Sequence, residues 1–161
     1  MVGVQIASTI QTIVSRNVRP VETAVVSITQ FRAGDAYNVI PQTARLSGTV
    51  RAFSKEVMAL VEKNMRRIAE GVAQSMGARA QLDFRANFAP TVNDPEQAAF
   101  AASVCEELVG AGKVDRDPPP IMASEDFSFM LEQVPGCYIN IGNGDGEGPA
   151  RAVLNFQDVT E

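Results

Sequence analysis

At 161 residues, with 45% hydrophobic and 20% charged positions, the chain has material for one ordinary domain or two small ones, and its balance excludes a disordered acidic tail. A formal net charge of −5 argues against a nucleic-acid partner, which calls for a basic face, and no apolar run approaches the roughly 18 residues of a membrane span. The chain has no histidine, so serine triads, cysteine–histidine dyads and histidine-ligated zinc sites are excluded within it, and carboxylate chemistry is what survives.

Elements begin at once. Ile6, Ile10, Ile13 and Val14 recur at helical spacing and predict a helix over 4–16. No capping residue precedes it, so the chain is expected to open at a helix edge and not at a domain start. No basic region followed by a long apolar core marks a secretory signal, and a cytoplasmic protein is expected. Pro20 ends the helix. The β-branched run from Thr23 to Phe31 predicts a strand. Residues 33–38 form a loop, with Gly34, Asp35 and Asn38 as turn formers. A second strand is expected over 43–53, where Ala44, Leu46, Gly48 and Val50 alternate with Arg45, Ser47, Thr49 and Arg51; one face is buried and the other wet.

Ser54 is a natural N-cap for a helix running to about Met76, with Val57, Val61, Ile68 and Val72 on its apolar stripe and Gly77 as its stop. Met58, Met65 and Met76 read as core on the same stripe. A third strand, led by Ala80, Leu82 and Phe84, is expected over 79–86. The order is then helix, strand, strand, helix, strand, and one more strand in front would complete a ferredoxin-like split βαβ unit. Without that strand the sheet exposes an edge that invites pairing.

A Pro/Asn/Asp-rich stretch near Pro90–Pro95 marks a boundary between domains expected at 1–90 and 91–161. Asp94 caps a helix from Pro95 to Leu108, in which Cys105 reads as a buried free thiol. Pro118-Pro119-Pro120 is an extended connector. Ser124-Glu125-Asp126 opens a short helix to about Glu132, and Cys137–Ile141 is a short buried strand. The run from Gly142 to Gly146 is a glycine loop with neither dinucleotide nor phosphate-loop spacing.

Gly34-Asp35-Ala36-Tyr37-Asn38-Val39-Ile40-Pro41, then Gly48-Thr49-Val50-Arg51, then Ser124-Glu125-Asp126-Phe127 with Ile141-Gly142-Asn143-Gly144, resemble the hippurate hydrolase and N-acyl-amino-acid amidohydrolase group of metallopeptidases, together with indole-acetyl-amino-acid hydrolase. The similarity covers nearly all of residues 4–148. It implies an α+β chain: a ferredoxin-like lid, the dimerisation domain, lacking its first strand, followed by the C-terminal α/β segment of the catalytic domain. The family's N-terminal metal-binding segment has no counterpart here. Intact members carry two divalent ions, zinc or manganese; no metal ligand and no catalytic residue is expected in this chain.

The resemblance also assigns roles. Asn38 and Arg51 fall where the family contacts the substrate carboxylate, and an arginine fork suits that task. On the residues alone, Asn38 reads as a turn former and Arg51 as a solvated strand residue. Arg32 stands where members have a histidine that reaches a neighbouring subunit's site; an arginine there can stabilise an oxyanion but shuttle no proton. Glu125 is placed near the floor of the metal site, as support with Asp126 and not as a ligand; on the residues alone, both carboxylates favour a helix N-terminus.

From Pro149 onward the sequence departs from the family's pattern, which carries a metal-ligating histidine near this point. The expectation is a partial amidohydrolase that retains dimerisation and carboxylate recognition. The competing readings are a non-catalytic module binding small carboxylates and a purely structural dimer. Partners are expected to be a second copy joined through the lid and a small carboxylate, with no nucleic acid and no membrane. In the other arrangement, Ala152–Phe156 folds back as the strand covering the lid edge.

Overall fold

The computed structural model describes residues 1–123, 125–142 and 154–156, the last stretch as backbone. The chain divides into two compact units, 1–86 and 87–161. In the first, α1 (Val2–Ile10) and α2 (Thr12–Asn17) replace the single helix expected over 4–16. The break at Gln11 has a local cause. Thr9 Oγ1 donates to the Gln5 carbonyl and Thr12 Oγ1 to the Thr9 carbonyl, each at 2.7 Å, and such back-bonding competes with the helical ladder and bends it.

β1 (Ala24–Arg32) and β2 (Arg45–Ala52) pair antiparallel. α3 (Lys55–Ser75) comes next, capped by Ser54, whose Oγ accepts from the Val57 N–H at 3.2 Å. Ile6, Ile10 and Ile13 meet Val26, Val61 and Ile68 in one apolar cluster. Ala24, Val26 and Ile28 from β1 and Val50 and Ala52 from β2 turn their side chains to it. β1 then bulges between Ile28 and Gln30. One extra residue there shifts the parity of the rest of the strand. Phe31, out of phase with Val26 and Ile28, therefore comes back inward and its ring lies against Gly3. At the bulge the strands approach so closely that a Cβ on Gly48 would fall on the Ser27 carbonyl oxygen.

The third strand expected over 79–86 is absent from this sheet, which has two strands. Burial alternates residue by residue from Ala78 to Arg85, as a strand's would. Ala78 and Ala80 pack on the core, but the Leu82 carbonyl accepts from the side chain of Arg66 at 3.4 Å. The pattern is that of an extended segment held by its buried side chains and this one side-chain bond, with no backbone ladder beside it among the described residues.

The second unit opens with α4 (Pro95–Val109). Asp94 caps it through contacts of 3.1 and 3.0 Å from the Glu96 and Gln97 N–H groups. A 3-10 turn at Ala111–Lys113 leads to β3 (Val114–Asp115). After α5 (Ser128–Leu131) come β4 (Ile139–Ile141) and β5 (Leu154–Phe156), in the sheet order β3-β5-β4. β5 runs parallel to β3 and antiparallel to β4, so this part of the tail extends the second unit's sheet and does not cover the β1–β2 ribbon. Cys105 is buried against Ala102 as a free thiol, with Val114, Cys137 and Ile139 packed around them. The strand expected over 137–141 is shorter and only half-buried, with Ile141 exposed. α5 is shorter than the helix expected to Glu132. Its expected opening residue, Ser124, and the glycine loop from Asn143 onward lie outside the described residues. Among the described residues no helix is long and apolar enough to cross a membrane.

Two glycines should respond oppositely to alanine. Gly48→Ala forces the ribbon apart and should destabilise by about 1–3 kcal/mol. Gly71, inside α3 with nothing within 4 Å of an added Cβ, should gain about 0.5–1 kcal/mol on the same change. Urea unfolding of the two variants checks this; equal effects of one sign would refute the close-approach argument.

Candidate functional site

The first unit presents its polar chemistry on the outer face of the ribbon. Leu46, Gly48, Val50 and Ala52 face the helices, so Arg45, Ser47, Thr49 and Arg51 face away. Arg51 lies opposite Val25 and is half-buried. Its Nη1 donates to Thr49 Oγ1 at 3.2 Å, while its Nε is buried with no hydrogen-bond partner. A buried N–H without an acceptor is costly, of order 1–3 kcal/mol. The guanidinium is thus held by one arm at Thr49, and its Nε–H, shielded from solvent, has no acceptor.

Arg32 and Asn38 lie elsewhere. Arg32 pairs with Arg45 at the far end of the ribbon. Arg51 is six residues farther along β2, about 20 Å away at the usual strand rise. Asn38 is exposed in the loop that leaves Arg32, near a tight turn where Gly34 adopts φ 79° and Pro41 packs over it. The structure therefore places Arg32 and Arg51 at opposite ends of the ribbon, with Asn38 in the loop that follows Arg32. Like charges face one another at Arg32 and Arg45. The Asp83 carboxyl is held below its ordinary range by its hydrogen bond to Arg85 and that residue's charge, with a smaller contribution from Arg45. Arg45 thus has a carboxylate acting on it.

In the second unit the structure gathers Glu125 and Asp126 around Tyr138, a residue that sequence reasoning misses. Phe127 and Tyr138 rings meet at 5.6 Å. Burial raises the phenol's pKa, assisted by its hydrogen bond to Glu125 and by the charges of Glu125 and then Asp126. Asn93 is 4% exposed. Its Nδ2 donates to the Tyr138 carbonyl at 3.0 Å and its Oδ1 accepts from the Tyr138 N–H at 2.7 Å. Asn93 sits in a stretch whose Pro, Asn and Asp content marks a linker; the discriminating signal would have been an amide fixed immediately before the Asp94 cap.

The described residues do not make a metal centre. They contain no group of three Cys, Asp or Glu able to hold an ion, and the donor set for two divalent ions does not fit them.

Residues 4–154 match peptidase family M20/M25/M40, and the chain belongs to that family. It is 38% identical over 143 residues to the N-acetylcysteine deacetylase of Bacillus subtilis (strain 168), covering 89% of this chain and 37% of that protein. It is also 38% identical over 134 residues to the hippurate hydrolase of Campylobacter jejuni, covering 83% and 35%. The crystal structure of the Bacillus subtilis YXEP protein, a dinuclear metal binding peptidase from the M20 family, superposes with a TM-score of 0.66 at 36% identity, covering 84% of this chain and 34% of that one. The chain spans about a third of the length of these curated relatives. The family match runs through residue 154, past Pro149, where the motifs alone place its end.

Replacing Asn93 by alanine strips two backbone groups of Tyr138 of their partners. The expected loss is about 2 kcal/mol or more of unfolding free energy. Thermal and urea denaturation measure it, and a change below a few tenths would mean that the clamp carries no stability.

Proposed function

We propose that this chain supplies the ferredoxin-like lid and the C-terminal catalytic-domain segment of a metal-dependent amidohydrolase acting on N-acyl amino acids or related linear amides, and that its own contribution is to recognise the substrate's carboxylate. The observation that carries this is Arg51: an outward guanidinium with a buried Nε lacking an acceptor. The names of the relatives, a deacetylase of N-acetylcysteine and a hydrolase of hippurate, describe substrates that keep a free carboxylate beside the amide. Asn38 adds an amide donor and Arg32 a fixed cation, both from the far end of the ribbon. The distance of Arg32 from Arg51 favours its serving a site other than the one Arg51 serves within the same chain. No chemical step is assigned to these residues, since no metal donor set is formed by them. The lid assignment is supported by the helix–strand–strand–helix order of the first unit. The free thiol of Cys105 fits a cytoplasmic setting. A non-catalytic carboxylate-binding module is the second reading, and the same arginine favours it.

Titration with hippurate and N-acetyl amino acids, read by calorimetry or NMR, tests recognition. Arg51→Lys should weaken binding by about 1.5–3 kcal/mol, because an ammonium offers no planar fork. Arg45→Lys, beside Asp83, should change it little. Binding untouched by Arg51→Lys would sink the proposal.

The lid reading also predicts association. β1 and β2 form a two-stranded sheet, and each strand has a ladder edge open to a second copy. Light scattering at micromolar concentration should report a homodimer or larger assembly; a clean monomer would count against it.

A further inference from the structure

We propose that the first unit binds an extended peptide strand from another polypeptide, seated between the open edge of β2 and the extended run 79–86 and hydrogen-bonded to both. The proposal rests on the lid reading of the first unit and is independent of the carboxylate reading of Arg51.

Three observations place the seat. The first is the backbone of residues 79–86. Burial alternates along it as along a strand, yet among the described residues none of its N–H or C=O groups enters a backbone–backbone hydrogen bond. The last such bond before it runs from the Ala78 N–H to the Ala73 carbonyl, at 2.9 Å. Backbone groups that leave water ordinarily find other backbone partners. This run is held instead by Ala80 on the core and by Arg66 on the Leu82 carbonyl.

The second observation is its place in the chain. β2, α3 and residues 79–86 follow one another as strand, helix and extended run. A crossover of this kind returns parallel to the strand it left, and Val50 and Ala52 of β2 line the same core cluster as Ala80. The sheet nevertheless stops at β2. That is the arrangement of a split βαβ unit whose inner strand position is open. The third observation is burial. Ala24 and Val26 of β1 are 7% and 8% exposed, so the core is closed on the β1 side although β1 is itself an edge. Leu46, Val50 and Ala52 on β2, and Ala80, Leu82 and Phe84 on the run, are only half-buried. The core is thin beside the free edge of β2 and not beside that of β1.

The seat selects its occupant. A strand lying between two others must offer both of its edges. In a second copy β1 and β2 are paired with each other, so each has one edge to give and neither fits. Leu154–Phe156 is already paired on both sides, with β3 and β4. The occupant is therefore a lone extended segment of about six to eight residues. Apolar side chains at every second position fill the half-open core, polar ones alternate with them outside, and the backbone supplies the affinity. The β1 edge stays open to a second copy.

The probes are end-capped synthetic peptides as long as β2, eight residues, that alternate valine with threonine or lysine. Fluorescence anisotropy reads affinity and amide hydrogen exchange reads location. The alternating peptide should bind saturably and slow exchange at residues 45–52 and 79–86 together. A peptide of the same composition with its valines in one block should bind about tenfold more weakly or worse. N-methylating the amides along one edge of the peptide, or along the other, should each cost about tenfold or more, because each set bonds to a different strand. A peptide added at one outer edge loses affinity with one set only, and that result overturns the proposal. So does a lack of saturable binding, or protection confined to one of the two segments. A chain that dimerises in light scattering yet takes up no peptide keeps the lid reading and loses this one, and hippurate titration reads the carboxylate site separately.

Discussion

Strand parity governs the first unit. On β2 every second side chain must enter the core, so Leu46, Gly48, Val50 and Ala52 are committed to it, and Arg45, Ser47, Thr49 and Arg51 are committed to the outer face. A one-residue slip would bury four polar residues and expose the core, which is why register is firmly specified where one face is buried. The bulge in β1 is the single place where parity changes, and it lets Phe31 rejoin the apolar side near Gly3. That bulge is possible because Gly48 presents no Cβ to the Ser27 carbonyl. A polar face on one side and helix packing on the other both derive from this one constraint.

Much of this was legible in the sequence. Alternation over 43–53 named the two faces of β2, and the Ser54 and Asp94 caps located the starts of α3 and α4. The failures have physical reasons. Threonine hydroxyls turned toward carbonyls break α1 from α2, an effect that apolar spacing does not register. Residues 79–86 carry a strand's alternation without a strand's partner, because pattern reports which side chains are buried and not where the backbone hydrogen bonds go. β3 and β5, at two and three residues, are shorter than any periodicity can reveal.

The charged candidates Arg51, Glu125 and Asp126 came from motif resemblance, and the structure adds their surroundings: an Nε without an acceptor on the first, and a phenol whose pKa is raised near the other two. Asn93 and Tyr138 were invisible because their roles depend on a contact across 45 residues. An asparagine in a Pro-rich linker is ordinarily a turn former. Only the fold shows that this one is buried and paired twice.

The polar groups that remain share a property that limits what this chain can contribute. Arg32 occupies a position where the resemblance implies a histidine, and an arginine keeps its charge at every physiological pH. It sits across from Arg45, at an end of the ribbon where two fixed cations face each other. Such an arrangement can attract and orient an anion, but it cannot accept a proton in one step and return it in the next. With no histidine anywhere in the sequence, the side chain best suited to that exchange near neutral pH is missing. Arg51 holds one arm of its guanidinium on Thr49, and Asn93 holds the backbone of Tyr138. Both are tasks of orientation, in which the gain comes from groups fixed before the ligand arrives. On the reading proposed above, binding and alignment are the tasks that such fixed groups can perform.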